Sequence, residues 1–155
     1  MGSTLTVDNI VGATTAANVK MPAGHVIQTL SANMNTSKAT QSTSFVATTH
    51  AVTITPKYNN SKIYLNLSGG SWHISAAQSH ATFYRGSTNL GSATVGLTLN
   101  EQAYSPHSFS FLDSPATTNA TTYEVYWKVS NSANTSYYSY PSYGTVCLTV
   151  MEIAQ

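Results

Sequence analysis

Apolar and polar residues alternate along most of the chain, and this spacing places every second side chain on the same face of a β-strand. The segment 62–67 is a clear case, because Ile63, Leu65 and Leu67 share one face. No segment of useful length has apolar residues at helical spacing. The residues that the alternation predicts to face a core are these three and Val52, Ile54, Trp72, Ile74, Ala81, Phe83, Val95, Leu97, Leu99, Phe109, Phe111, Tyr123, Val125, Trp127 and Val129.

Turn-forming residues separate the predicted strands. Examples are the Pro- and Asn-containing segment 56–61, Gly69 with Gly70, and Gly86. About eight short strands at intervals of roughly 8–12 residues are typical of a β-sandwich or jelly roll. A chain of 155 residues fits one such domain. The sequence therefore predicts an all-β protein, an antiparallel jelly-roll β-sandwich of about eight strands with an extended N-terminal arm.

The last predicted strand, residues 145–153, is apolar on both faces. One face carries Val146, Leu148 and Val150, and the other carries Cys147, Met151 and Ile153. A strand that is apolar on both faces is buried on both. Either a larger sheet or a second subunit could supply the second cover. We favour a second subunit, and the predicted interface residues are Val146, Leu148, Val150, Met151 and Ile153.

The first 24 residues differ from the rest of the chain. A strand is possible at residues 5–11, but residues 12–18 are small or polar and offer nothing large to bury. Such a segment cannot form a core alone, so we expect it to need partners. The predicted organisation is an attachment or oligomerisation arm at residues 1–24 and a sandwich head at residues 25–155.

Composition narrows the possible functions. Only 7% of residues are charged, against about 25% in an average domain, and the net charge is +1. The sequence has 21 Ser, 23 Thr and 12 Asn, which gives an uncharged polar surface. Without a basic stripe to neutralise phosphates, nucleic acid is not an expected partner. No run of 18 apolar residues occurs, so no membrane partner is expected either.

Residues for catalysis or metal binding are sparse. The five histidines have no metal-ligand spacing, although a symmetry axis could bind an ion through one histidine per chain. Glu101 and Asp113 are the one conceivable carboxylate pair, and no supporting pattern surrounds them. We therefore predict no catalytic residue, no metal site and no cofactor, and a protein that is not an enzyme.

Four motifs in this order resemble tail-fibre-like structural proteins of marine and freshwater phages, cyanophages included. They are STLTVDNI at residues 3–10, MPAGHVIQ at 21–28, VTITP and SKI at 52–56 and 61–63, and LTVMEI at 148–153. The resemblance implies a virion protein with a homotrimeric jelly-roll head of the tumour-necrosis-factor or complement type. It also implies that the N-terminal strand, through Leu5, Val7, Ile10 and Val11, binds another virion protein of the tail or baseplate.

The location on the virion follows from the same resemblance. A short tail fibre whose head contacts the host surface is the leading expectation. Fibres of this type often have a long shaft, which is nearly missing here, so a capsid decoration protein bound to the major capsid protein lattice is the alternative. A carbohydrate-active enzyme is a third possibility, which the scarcity of acidic residues disfavours.

The segment 137–144 is rich in tyrosine. Tyr137, Tyr138, Tyr140 and Tyr143 bring rigid amphipathic rings with little conformational entropy to lose, as in antibody paratopes. They are the predicted contact residues for a host glycan, a host protein or a neighbouring virion subunit. The alternative is that these rings pack on the sandwich or seal the subunit interface.

Overall fold

A computed structural model describes residues 21–74, 76–101, 104–140 and 144–155. These residues form twelve β-strands and no helix. The strands are β1 (Val26–Met34), β2 (Lys38–Thr40), β3 (Val46–Ile54), β4 (Lys62–Gly69), β5 (His73–Ile74), β6 (Ser79–Arg85), β7 (Thr88–Asn89), β8 (Thr98–Asn100), β9 (Phe109–Asp113), β10 (Thr121–Val129), β11 (Ser136–Tyr138) and β12 (Val146–Ile153).

Two larger sheets and one small sheet make up the fold. The order in the four-stranded sheet is β1-β12-β4-β9, and in the five-stranded sheet it is β3-β10-β6-β7 with β8 also paired to β6. The small sheet has the order β2-β11-β5, and all pairs are antiparallel. The longer strands alternate between the two larger sheets along the chain. The predicted all-β antiparallel sandwich is confirmed.

The core lies between the two larger sheets and has the composition that the alternation predicts. Ile63, Leu65 and Leu67 on β4 are 0% exposed. On β10 the four predicted residues, from Tyr123 to Val129, are at most 1% exposed. Burying side chains of this size contributes about 1.5–3 kcal/mol each, so these two strands supply a large share of the stability.

One predicted strand is wrong. Val95 and Leu99 are 43% and 47% exposed, and only the three-residue β8 forms in this part of the chain. The preceding residues form a loop closed by paired hydrogen bonds between Ser92 and Gly96. Asn100 is buried instead. The loop takes its conformation from local turns, so the apolar residues in it do not follow the period of a strand.

The position of β12 corrects the predicted interface. This strand lies between β1 and β4, and Val146, Leu148 and Val150 are 0% exposed within the single chain. They pack in the protomer's own core, so their assignment to a subunit interface is wrong. The opposite side of the strand carries Met151 and Ile153, which stay partly exposed on the outer face of the sheet. For these two residues the interface stays a prediction.

A buried carboxylate, Glu152, joins three segments at the end of the sheet where β12 finishes. It is 0% exposed. The backbone N–H groups of Lys57 and Tyr58 donate to it at 2.7 and 3.3 Å, the Ser61 hydroxyl at 2.7 Å and the Gln28 amide at 2.6 Å. Four donors compensate for the loss of water around the charge.

The predicted division into an arm and a head falls largely outside the described residues, as do the predicted attachment residues Leu5, Val7, Ile10 and Val11. Of the segment 1–24, the structure describes residues 21–24, which lead into β1. There the Gly24 N–H donates to the Ala154 carbonyl at 2.8 Å, and the Ala154 N–H donates to the His25 carbonyl at 2.8 Å. The arm stays a prediction.

Candidate functional site

A group of aromatic side chains meets on the surface at the opposite end of the four-stranded sheet from Glu152. There β4 ends, and the chain turns through Gly69 and Gly70 into β5. Gly70 has a φ of 63°, and a Cβ on it would clash with the Val146 side chain. Glycine is therefore required at this turn, which leads the chain from β4 into β5 of the small sheet.

Backbone pairing places three chain segments side by side at this end. The Trp72 N–H donates to the Ser105 carbonyl at 2.9 Å, and the Ser105 N–H donates back at 3.1 Å. His73 pairs with Tyr137 in the antiparallel ladder between β5 and β11. The Tyr140 N–H donates to the Ser71 carbonyl at 2.9 Å. Residues that are distant in the sequence thus form one surface.

The inner side of this surface is a buried aromatic layer. Trp72 and Tyr138 are both 0% exposed, and their rings meet edge to face with centroids 4.8 Å apart. The Tyr138 hydroxyl also hydrogen-bonds to His50. The prediction that Tyr138 contacts a partner is therefore wrong. Successive side chains of a strand point to opposite faces, so Tyr138 faces the core and Tyr137 faces outward.

The outer side carries four rings, His73 and three tyrosines around it, which we call the aromatic cluster: His73, Tyr104, Tyr137 and Tyr140. The His73 ring centroid lies 4.4 Å from that of Tyr104, 5.7 Å from that of Tyr137 and 5.6 Å from that of Tyr140. Tyr140 lies 5.4 Å from Tyr104 and 5.3 Å from Tyr137. Such separations are typical of packed aromatic pairs.

The cluster is open to solvent on its outer side. Tyr104 is 45% exposed, and the other three rings are partly exposed. Among the described residues, His73 Nδ1 is buried and has no hydrogen-bond partner.

A shallow depression continues the surface beyond Tyr137. It is lined by Ala39, Thr40, Gln41 and Thr135. Ala39 pairs directly with Tyr137 in the small sheet, so the depression and the cluster are adjacent. Its polar groups are hydroxyls and an amide, which donate and accept hydrogen bonds without charge.

The predicted contact residues are thus divided by the structure. Tyr137 and Tyr140 belong to the cluster, Tyr138 belongs to the core, and Tyr143 lies outside the described residues. Sequence reasoning missed His73 and Tyr104. The inward prediction for Trp72 and Ile74 already implied that His73 points outward, whereas no local pattern marks Tyr104.

The outer face of the four-stranded sheet is a second candidate surface. Leu112, Tyr64 and Met151 are cross-strand neighbours on β9, β4 and β12, and Ile153 and Val26 pair in the next row. We call these five residues the outer apolar patch. Leu112 is 53% and Val26 is 51% exposed. The rows beyond it are polar, with Asn66, Thr149, Ser110 and Ser31 in one row.

The carboxylates once considered as a pair have structural partners. Arg85 donates to both oxygens of Asp113 at 2.9 and 2.8 Å, and the Tyr123 hydroxyl donates to it at 2.7 Å. Glu101 accepts from the Gln78 amide. Within the described ranges, no three His, Cys, Asp or Glu side chains are grouped so that they could hold a metal ion.

Comparison with known proteins adds no relative. No protein-family model matches the sequence, and no curated protein matches it significantly. In the part of the chain that the structure describes, no helix is long and apolar enough to cross a membrane.

Below the aromatic cluster lies a buried histidine, His107. Its ring stacks on Trp72 with centroids 4.3 Å apart, and burial lowers its pKa to about 4. An unfolded chain binds this proton near pH 6.5. The stabilising contribution of neutral His107 is therefore complete above pH 6.5 and is lost as the pH falls towards 4, by about 3 kcal/mol.

We expect the free energy of unfolding, measured in urea at pH 7.5, 6 and 4.5, to fall with decreasing pH. His107→Phe keeps the stacking and removes the proton site, so its stability should depend less on pH. Burial also lowers the pKa of His50, so a residual slope is expected in the variant. Equal slopes for the two proteins would contradict the assignment to His107.

Proposed function

We propose that this chain is a structural protein of a phage virion, a short tail fibre whose β-sandwich heads associate as a homotrimer and contact the host surface. The outer apolar patch is the observation that carries the proposal. On its side of the four sheet strands the one charged residue is Lys62, the cross-strand partner of Ile153, and the rest of the face is uncharged with an apolar end. Exposed apolar patches of this kind mark interaction sites.

A second copy of the chain suits this face better than a charged partner. The face offers no charge pattern that would select another protein, whereas apolar side chains can pack against their own copies around an axis. Met151 and Ile153, predicted from the sequence as interface residues, lie within the patch. The strand order, with successive long strands in opposite sheets, supports the jelly-roll arrangement that the phage resemblance implies.

The resembling motifs also have a physical meaning in the fold. Gln28 ends the second motif, Ser61 begins the SKI segment and Glu152 lies in the last motif. Gln28 and Ser61 both donate hydrogen bonds to the Glu152 carboxylate. Parts of three of the four motifs therefore meet at one hydrogen-bonded site in this fold.

The oligomeric state tests the trimer. Light scattering after size exclusion should give three times 16.5 kDa for the wild type. Leu112→Asp should yield a folded monomer, since a charge would lie unpaired in an apolar interface. Leu99→Asp is the matched control: this leucine is 47% exposed on β8 of the other sheet, and its variant should stay trimeric. A monomeric wild type would refute the proposal.

The site on the virion needs a separate observation. Gold-labelled antibodies against the purified head should decorate the tail of intact particles in electron micrographs. Label spread over the capsid surface would contradict the tail-fibre assignment and identify a decoration protein instead.

A further inference from the structure

We infer that the aromatic cluster and the adjoining depression form a binding site for a neutral glycan. The inference rests on the proposed contact with the host surface and names the chemical class of what is bound there.

The ring chemistry suits a sugar. Three partly exposed rings have centroids 5.3–5.7 Å apart: those of His73, Tyr137 and Tyr140. The aromatic surface is therefore only a few rings wide. Aromatic rings give an apolar contact area with a polar tip. A pyranose offers the complement, with C–H groups on its faces and hydroxyls around its edge. A protein partner typically covers about 800 Å² on each side, which calls for a wider surface than this cluster.

The surroundings favour a ligand without charge. The groups that line the depression are an alanine methyl, two threonine hydroxyls and the Gln41 amide. The aromatic cluster adds the hydroxyl of the partly exposed Tyr137. None of the four residues that line the depression is charged, so a carboxylated or sulfated sugar would lose water there without gaining a cationic partner from them. Sugar hydroxyls, in contrast, can exchange hydrogen bonds with the threonine hydroxyls and the Gln41 amide of the depression.

The site is held in place before any ligand arrives. Trp72 and Tyr138, the neighbours of His73 and Tyr137 along their strands, are 0% exposed and pack against each other. This packing holds the strand segments that carry His73 and Tyr137 in place. A rigid surface loses little conformational entropy on binding, which matters for a ligand that makes few contacts.

The test is binding of the purified full-length protein to a printed array of neutral and acidic oligosaccharides. Neutral glycans should bind, and Tyr137→Ala and His73→Ala should each lower the affinity at least tenfold. Tyr137→Phe, which keeps the ring, should change it only a few-fold. Tyr126→Ala is the control, because Tyr126 is a partly exposed tyrosine on the five-stranded sheet, stacked on Tyr84 at 3.8 Å. Its variant should bind like the wild type.

A second readout needs no variant and so does not depend on how substitutions fold. A bound neutral glycan should protect Tyr137 and Tyr140 of the wild type from nitration by tetranitromethane, as mapped by mass spectrometry. Tyr126 should react equally with and without the glycan. If the glycan left the nitration of Tyr137 and Tyr140 unchanged, as expected for Tyr126, the inference would be overturned.

Three array results would also overturn it: no glycan bound, acidic glycans alone bound, or equal binding by wild type and Tyr137→Ala. Each of them leaves the trimer mass and the virion labelling unaffected, so failure of the glycan inference is distinguishable from failure of the proposed function. Binding to host cells that depends on Tyr137 but survives periodate oxidation of their glycans would identify a protein partner instead.

Discussion

Glu152→Ala is expected to lower the free energy of unfolding by about 3–5 kcal/mol. The substitution removes one acceptor that serves two backbone N–H groups, the Ser61 hydroxyl and the Gln28 amide. A buried donor left without a partner costs about 1–3 kcal/mol, and losses within one network do not simply add. Urea unfolding followed by the fluorescence of the buried Trp72 and Trp127 measures the change.

The matched control is Glu124→Ala. Glu124 is partly exposed on β10 and accepts a hydrogen bond from the Thr49 N–H at 2.9 Å, so its loss should cost about 1 kcal/mol. Glu152→Gln keeps one carbonyl acceptor and should fall between the two. Equal losses for the two alanine variants would show that the Glu152 site does not hold the three segments together.

On β4 and β10 the alternation was sufficient to predict which side faces the core. On β4 and β10 every residue from the inward set is buried, because both strands lie in the middle of their sheets and have one face against the other sheet. The period of two is a local property of the backbone. The alternation is therefore present in any strand that forms, whichever strands it pairs with.

The period does not say what covers each face. On β12 both sets of side chains are apolar, so the sequence alone gave no means of deciding which set, Leu148 or Met151, belonged to the protomer's own core. The decision depends on the pairing of β12 with β1 and β4, which are distant in the sequence. Because both faces of the strand are apolar, Leu148 was assigned to a subunit interface. The sheet order corrects that assignment.

The candidate site was predicted from the sequence only in part. The tyrosine-rich segment was identified, and the period could have separated Tyr137 from Tyr138. Tyr104 joins the cluster because its neighbour Ser105 pairs with Trp72, from which four strands separate it along the chain. Long-range pairing of this kind leaves no mark in the nearby sequence, so a site formed by it is visible only in the fold.

Leu148→Asp should abolish folding of the protomer, with a loss of at least 4 kcal/mol. Leu148 is 0% exposed and lies between Ala32 on β1 and Leu67 on β4. A carboxylate there has no cation or donor to pair with, and it also leaves the space of the larger side chain unfilled. Circular dichroism should show no cooperative thermal transition.

Thr149→Asp is the matched control, because the next residue along β12 points to the outer face and pairs with Ser31 and Asn66. Its protomer should keep a cooperative transition within a few degrees of the wild type, whatever happens to the oligomer. The comparison separates two roles for the last strand that the sequence leaves open. A Leu148→Asp protein that melts like the wild type but runs as a monomer would return this residue to the subunit interface.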